Sequence, residues 1–265
     1  MRTATIGVIA LVLSFGALTA AHASEEAHWP MDPMKPNLGD KPSLQHGLKL
    51  FANYCMGCHS LKYQRWERTA DDLEIPHDLL LSNVVFSGAP IGSLMTNAMP
   101  TEAAKSWFGA APPDLSTEAR LRGPEWIYNY LRTFYVDESR PLGVNNKVFP
   151  NVGMPHALLE LQGTPIETCK QLPKMKDGYE LRDPLIPGKA ITEERCGVLD
   201  VVPGTGQLTA AEYDKAVYDI VNFLAYVAEP SRIQREHLGV YVLLFLVILY
   251  VFAALLGREY GKEIH

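Results

Sequence analysis

Residues 55 to 59 read Cys55-Met56-Gly57-Cys58-His59, and no other stretch limits what this chain can fold into so sharply. Two thiols three positions apart, with an imidazole directly behind, form the C-x-x-C-H pattern of covalent haem attachment. Each sulfur reaches one vinyl group of a single porphyrin and the histidine binds its iron. At the Cys and His frequencies of this chain, chance would supply about 0.002 copies of the pattern, so accident is a poor explanation.

Two chemical rivals fail on context. A thioredoxin-like redox pair wants a βαβ setting, whereas the residues ahead of Cys55 have helical spacing. A four-thiolate zinc site needs a second close pair, but Cys169 and Cys196 lie 27 positions apart. Four cysteines are also too few to staple a chain of 265 residues.

Iron held by His59 has a sixth position, and a thioether there raises the reduction potential and closes the site to small ligands. Met56 is trapped inside the attachment loop, Met31 and Met34 lie in the arm before it, Met175 sits in a polar stretch, and Met95 has no proline to hold its backbone. Met99 in Ala98-Met99-Pro100 and Met154 in Gly153-Met154-Pro155 each precede a proline, which favours extended backbone against a flat ring. On spacing alone either serves.

The two ends of the chain carry different apolar runs. Arg2, an apolar stretch over 6–18 and Ala21-His22-Ala23 make a secretory leader cleaved after Ala23; thirteen residues span only about 20 Å, short of a bilayer core of ~30 Å. Residues 238–256 hold no charge over nineteen positions, long enough to span. Arg232 and Arg235 before this run and Arg258 and Lys262 after it leave the positive-inside rule undecided, so the leader sets the orientation. The expected organisation is therefore a signal peptide over 1–23, an exported haem domain over 24–231, an anchor with its flank over 232–257, and a cytoplasmic tail over 258–265.

Within the exported region, the prolines at 30, 33, 36 and 42 predict an extended lead-in over 29–42. Ser43 is the expected cap of an amphipathic helix running into Cys55, with Leu44, Leu48, Phe51 and Ala52 on one face. Residues 88–113 read mostly as loop, 125–134 as helix, and 163–206 as a surface excursion. Thr209-Ala-Ala-Glu212 is a capping box that opens an apolar-striped helix to Ala228.

Charge narrows the partners. Residues 24–231 hold 27 acidic and 19 basic side chains, a net of −8, which disfavours nucleic acid because a phosphate backbone asks for a basic face. Asp71, Asp72, Glu74 and Asp78 cluster shortly after the haem motif and suit either a steering face for a lysine-rich carrier or an ordinary solvated surface.

The ordered set Leu44-Gln45-His46-Gly47, Cys55 to Leu61, Pro112-Pro113-Asp114-Leu115-Ser116, Arg120 and Arg122, Gly153-Met154-Pro155 and Tyr226-Val227-Ala228-Glu229-Pro230, ahead of one C-terminal span, resembles the bacterial cytochrome c1 family, the haem subunits of cytochrome bc1 complexes. The haem motif is common to all c-type cytochromes; the other segments in this order are more particular. The resemblance implies a mainly α fold, a cytochrome c-like haem domain with irregular loop insertions and one C-terminal transmembrane helix. It implies one haem c on Cys55 and Cys58, axial ligands His59 and Met154, Pro112 and Pro113 packed on the His59 side, and Arg122 pairing a propionate, with Arg120 as the nearby substitute.

By the same resemblance, electrons arrive from a Rieske iron-sulfur protein and leave to a soluble or membrane-tethered cytochrome c, while cytochrome b handles quinol. The complex would be dimeric, in the bacterial inner membrane, with the haem domain on the periplasmic side. The long stretch between Met154 and Thr209 departs from the mitochondrial pattern, and outside the cytoplasm its Cys169 and Cys196 are expected to pair.

Overall fold

The computed structural model describes residues 29–176 and 179–263; the leader expected over 1–23 and the end of the expected tail lie outside the described residues. In chain order the first elements are α1 (Lys41–Leu50), β1 (Leu61–Arg65), α2 (Trp66–Leu73), α3 (His77–Asn83), β2 (Leu94–Met95) and α4 (Thr101–Phe108). There follow α5 (Glu118–Leu121), α6 (Pro124–Arg132), β3 (Phe134–Val136), β4 (Val144–Asn146) and α7 (Leu159–Gln162). The last are β5 (Pro165–Pro173), β6 (Met175–Lys176), β7 (Tyr179–Glu180), β8 (Thr192–Val201), α8 (Ala210–Ala228) and α9 (Arg232–Glu263). The fold is mainly helical, and among the described residues the strands pair two by two.

Helix α1 begins three residues earlier than the sequence suggests. Asp40 is the cap, its carboxylate accepting from Ser43 N at 3.2 Å, and Pro42 sits in the first turn, where a missing N–H removes no helical bond. Ser43 is buried instead and its hydroxyl donates to Asp219 at 2.5 Å. That contact belongs to the crossing of α1 and α8, which centres on Gly47: a Cβ there would stand 2.0 Å from the Asp219 carbonyl oxygen. Only glycine lets the two backbones approach so closely.

Around that crossing Leu44, Leu48, Phe51, Val217, Ile220, Val221 and Phe223 are buried, and the Phe51 and Phe223 rings lie 5.8 Å apart. The Thr209 capping box opens α8 as expected, with Thr209 accepting from Glu212 N and Glu212 accepting in return. Helix α6 joins the same core through the Tyr213 hydroxyl, which donates to the Leu131 carbonyl at 2.8 Å. Arg132 binds Asp214 and Asp32 at 2.6 Å each and so ties the lead-in arm to both helices.

Two stretches differ from the sequence reading. Residues 88–113 contain α4, built from Glu, Ala and Lys between Pro100 and a left-handed Gly109 at φ +80°; the surrounding Gly and Pro hid a short helix with good stop signals. Helix α6 ends at Arg132, and Phe134 starts a strand.

The excursion over 163–206 is on the surface, as expected, but it is ordered as an antiparallel ladder of β5 on β8, extended by the small β6–β7 hairpin. Cys169 and Cys196 are joined by a disulfide within this ladder. At the other end, α9 is helical beyond the expected anchor boundary and continues to Glu263. Residues 238–256 of α9 are exposed on every face, so the helix is long and apolar enough to cross a bilayer and buries none of its span in the protein.

Candidate haem site

The C-x-x-C-H segment sits where α1 loosens. Phe51–Cys55 forms a π-helical turn, with Met56 N reaching Phe51 O at 2.9 Å. The Cys55 carbonyl then accepts from both Cys58 N at 3.1 Å and His59 N at 2.9 Å. This widened turn ends the helix and presents Cys55, Cys58 and His59 from one tight loop.

His59 is oriented from outside the helix. Its Nδ1 lies 2.7 Å from the Pro113 carbonyl, so Nδ1 carries the proton and donates, and Nε2 is the ring's free lone pair. Nε2 has no hydrogen-bond partner among the described residues. The Pro113 carbonyl is in place because the segment after it docks along the start of β1. Leu115 N donates to Ser60 O at 3.0 Å, Lys62 N donates to the Asp114 carboxylate at 2.9 Å, and Tyr63 N donates to the Ser116 hydroxyl at 3.1 Å. The Pro-Pro-Asp-Leu-Ser sequence is thus a backbone-pairing device whose product is one aimed carbonyl.

Electrostatics suit a neutral donor set. Burial holds the His59 imidazole below the usual histidine range, against the opposing pull of the Pro113 carbonyl, Glu118 and Asp114, which keeps it the neutral base that iron requires. Burial, with Cys58 beside it, pushes the Cys55 thiol up to about 12. A thiolate zinc or redox site asks for the opposite shift; thioether sulfur carries no charge and tolerates this setting. The residues fit a haem c.

Met154 lies on a loop built by two buried asparagines that the sequence reading missed. Asn146 Oδ1 accepts from Val148 N at 2.9 Å and Phe149 N at 3.0 Å, while its amide donates to the Tyr130 carbonyl at 2.7 Å. Asn145 Oδ1 accepts from Asn151 N at 2.8 Å, and Arg140 grips the Asn151 side chain at 3.0 Å. Nothing in the hydropathy pattern distinguishes such asparagines from turn residues.

Met154 packs beside the same core that Cys55 borders, and its sulfur accepts from the Tyr130 hydroxyl at 3.3 Å. Met99 is half-buried before α4 with its N–H on Asn97, and Met95 is buried filler whose sulfur meets the Thr69 hydroxyl.

Arg122 pairs with Glu118 through Nε at 2.7 Å and lays its guanidinium 4.4 Å over the Trp126 ring. Its two Nη groups have no hydrogen-bond partner among the described residues. Arg120 points elsewhere, to Glu229 at 3.1 Å. Pro112 is half-buried and Pro113 exposed apart from its engaged carbonyl.

Three of the four acidic residues after the motif are locally matched: Asp71 to His77, Asp72 to Arg68 and Tyr226, and Glu74 to Lys41. That arrangement favours the ordinary solvated surface over a steering patch.

Comparison with known proteins bears on the whole chain. The Cytochrome C1 family matches residues 89–264. The cytochrome c1 of Allochromatium vinosum is 44% identical over 96% of both chains. The ammonia monooxygenase gamma subunit of Nitrosomonas europaea is 37% identical over all of both chains, and the mitochondrial cytochrome c1 heme protein of Schizosaccharomyces pombe is 28% identical over 92% of this chain and 77% of that one. The family match begins downstream of the C-x-x-C-H motif, so motif and match are separate observations. Both lead to one assignment: the chain belongs to the cytochrome c1 family, the haem-bearing, membrane-anchored electron carriers of bc1 complexes.

Proposed function

We propose that this chain carries one covalently attached haem c, held by Cys55 and Cys58, with His59 Nε2 and the Met154 sulfur as axial ligands. It passes single electrons from a Rieske iron-sulfur protein to a soluble or membrane-tethered cytochrome c. The observation that carries the reading is the Pro113 carbonyl fixing His59 Nδ1 behind the C-x-x-C-H loop, which leaves Nε2 as the only ring nitrogen able to bind metal.

When bound, the haem supplies a reversible one-electron couple. The protein's share is structural. His59 and Met154 would hold the iron, Pro112 and Pro113 would cover the histidine side, and the Nη groups of Arg122, which have no hydrogen-bond partner among the described residues, would answer a propionate, whose buried charge asks for a cation. Trp126 beneath the guanidinium holds that cation in one orientation.

The mature domain, residues 24–231, stands on the periplasmic side of the bacterial inner membrane, after removal of residues 1–23. Residues 232–257 anchor it and 258–265 remain on the cytoplasmic side. Cytochrome b and the Rieske protein are its companions in a dimeric complex.

The test is gentle solubilisation of membranes and identification of what travels with the chain, together with an alkaline pyridine spectrum. A haem c spectrum with copurifying b-type haem and an iron-sulfur subunit is the expected result. A colourless protein made with intact cytochrome maturation overturns the haem assignment. Copurification with a monooxygenase instead would move the assembly toward the setting named for the Nitrosomonas relative.

A further inference from the structure

Helix α6 carries Trp126 and Tyr130 one turn apart, and Phe134 follows at the next helical interval. Tyr130 stacks on Trp126 at 5.0 Å with only 10° between the planes, and meets Phe134 and Phe149 edge-on at 5.2 and 6.5 Å. The ring therefore has no free rotation into another site. Its hydroxyl is aimed from this aromatic box at the Met154 sulfur, 3.3 Å away. Arg122 lies 4.4 Å over the Trp126 ring of the same cluster.

A thioether sulfur has two lone pairs. One bound to iron leaves one, and a hydroxyl that donates to the second fixes which way the sulfur faces and withdraws electron density from it. A poorer sulfur donor stabilises ferric iron less than ferrous iron, so the hydrogen bond raises the potential.

We propose that Tyr130 is a positioning residue for electron transfer: through its hydroxyl it orients the Met154 sulfur and raises the reduction potential of the centre. The inference rests on Met154 being the sixth ligand.

Removing the hydroxyl with Tyr130→Phe keeps the stack. The midpoint potential should fall by a threefold to tenfold change in ferric-over-ferrous preference, roughly 30 to 60 mV at 59 mV per decade. The ferric sulfur-iron absorption band should survive to higher pH. A ring-fluorinated tyrosine incorporated at position 130, with a more acidic hydroxyl, should shift the potential the other way and keeps the test alive if the phenylalanine variant fails to fold.

Tyr213→Phe is the control, since it too removes a buried hydroxyl, one that donates to a backbone carbonyl, and should leave the potential unmoved. If both position-130 variants keep the wild-type potential and pH profile while Met154→Ala loses the sulfur band, the proposal is overturned and the ligand assignment stands. If Met154→Ala keeps the band, the ligand assignment falls and takes the proposal with it.

Discussion

The turn that bears Cys55 and the ladder that bears Cys169 are held by different physics. Around the first, α1 and α8 press together at Gly47, and Leu48, Phe51, Val217 and Phe223 are wholly enclosed. Along the second, Pro165 is the only buried strand residue of β5, while Tyr179 and Leu185 toward the tip are 78% and 88% exposed. Its order comes from backbone pairing, the Cys169–Cys196 bond, and ion pairs such as Lys170 with Asp200 at 2.7 Å. A haem needs ligands fixed by dense packing. A surface ladder with little apolar area needs a covalent tie.

The harshest way to break the packed side is Phe51→Ala. The residue is buried at the start of the π-helical turn, against Phe223. Truncation should cost about 4 kcal/mol of unfolding free energy, the usual range for an enclosed phenylalanine. Denaturant titration of the purified haem protein measures it; a cost below about 1 kcal/mol would mean that packing does not hold the turn.

The ladder should respond differently. Cys169→Ser with Cys196→Ser removes a closure over a separation of 27 residues, for which the chain-entropy estimate is about 3.5 kcal/mol. Because the ladder shares so little buried surface with the core, the loss should be local. Hydrogen exchange should quicken across β5 and β8 and stay slow in α1 and α8. Equal loss of protection in α8 would show that the excursion supports the core and that the contrast drawn between the two regions is false.

This contrast also explains what was legible in the sequence. Residues whose neighbours lie within five positions could be read: the C-x-x-C-H loop, the Thr209–Glu212 box, and the uncharged run over 238–256. The cap of α1 is not legible locally because Ser43 answers to Asp219, 176 positions away, rather than to its own helix.

The ladder reads as surface but not as sheet, since neither face is buried and no clean apolar alternation marks its strands. In the site, Pro113 and Arg122 came from resemblance. Tyr130 could have been found from the aromatic stripe at 126, 130 and 134. Asn145 and Asn146 could not, because what makes them structural is a loop conformation the sequence does not display.

The mildest prediction concerns the local interaction that was read most easily. The Glu212 carboxyl is held below the ordinary glutamate range by the Thr209 backbone N–H, 2.9 Å away, and by its hydroxyl at 2.8 Å. A carboxyl whose folded value is depressed stabilises the fold fully above its unfolded value, about 4.3, and loses that contribution as pH falls through the lower folded value.

Glu212→Gln keeps an acceptor without a charge, so it should lower thermal stability slightly at neutral pH. The gap to the wild type should narrow as pH drops below about 4 and close in stronger acid. Melting curves of the two proteins from neutral pH into acid decide it. A gap that stays constant throughout would mean that the box works through its hydrogen bonds alone, and that even at the exposed start of α8 charge contributes nothing to the helix.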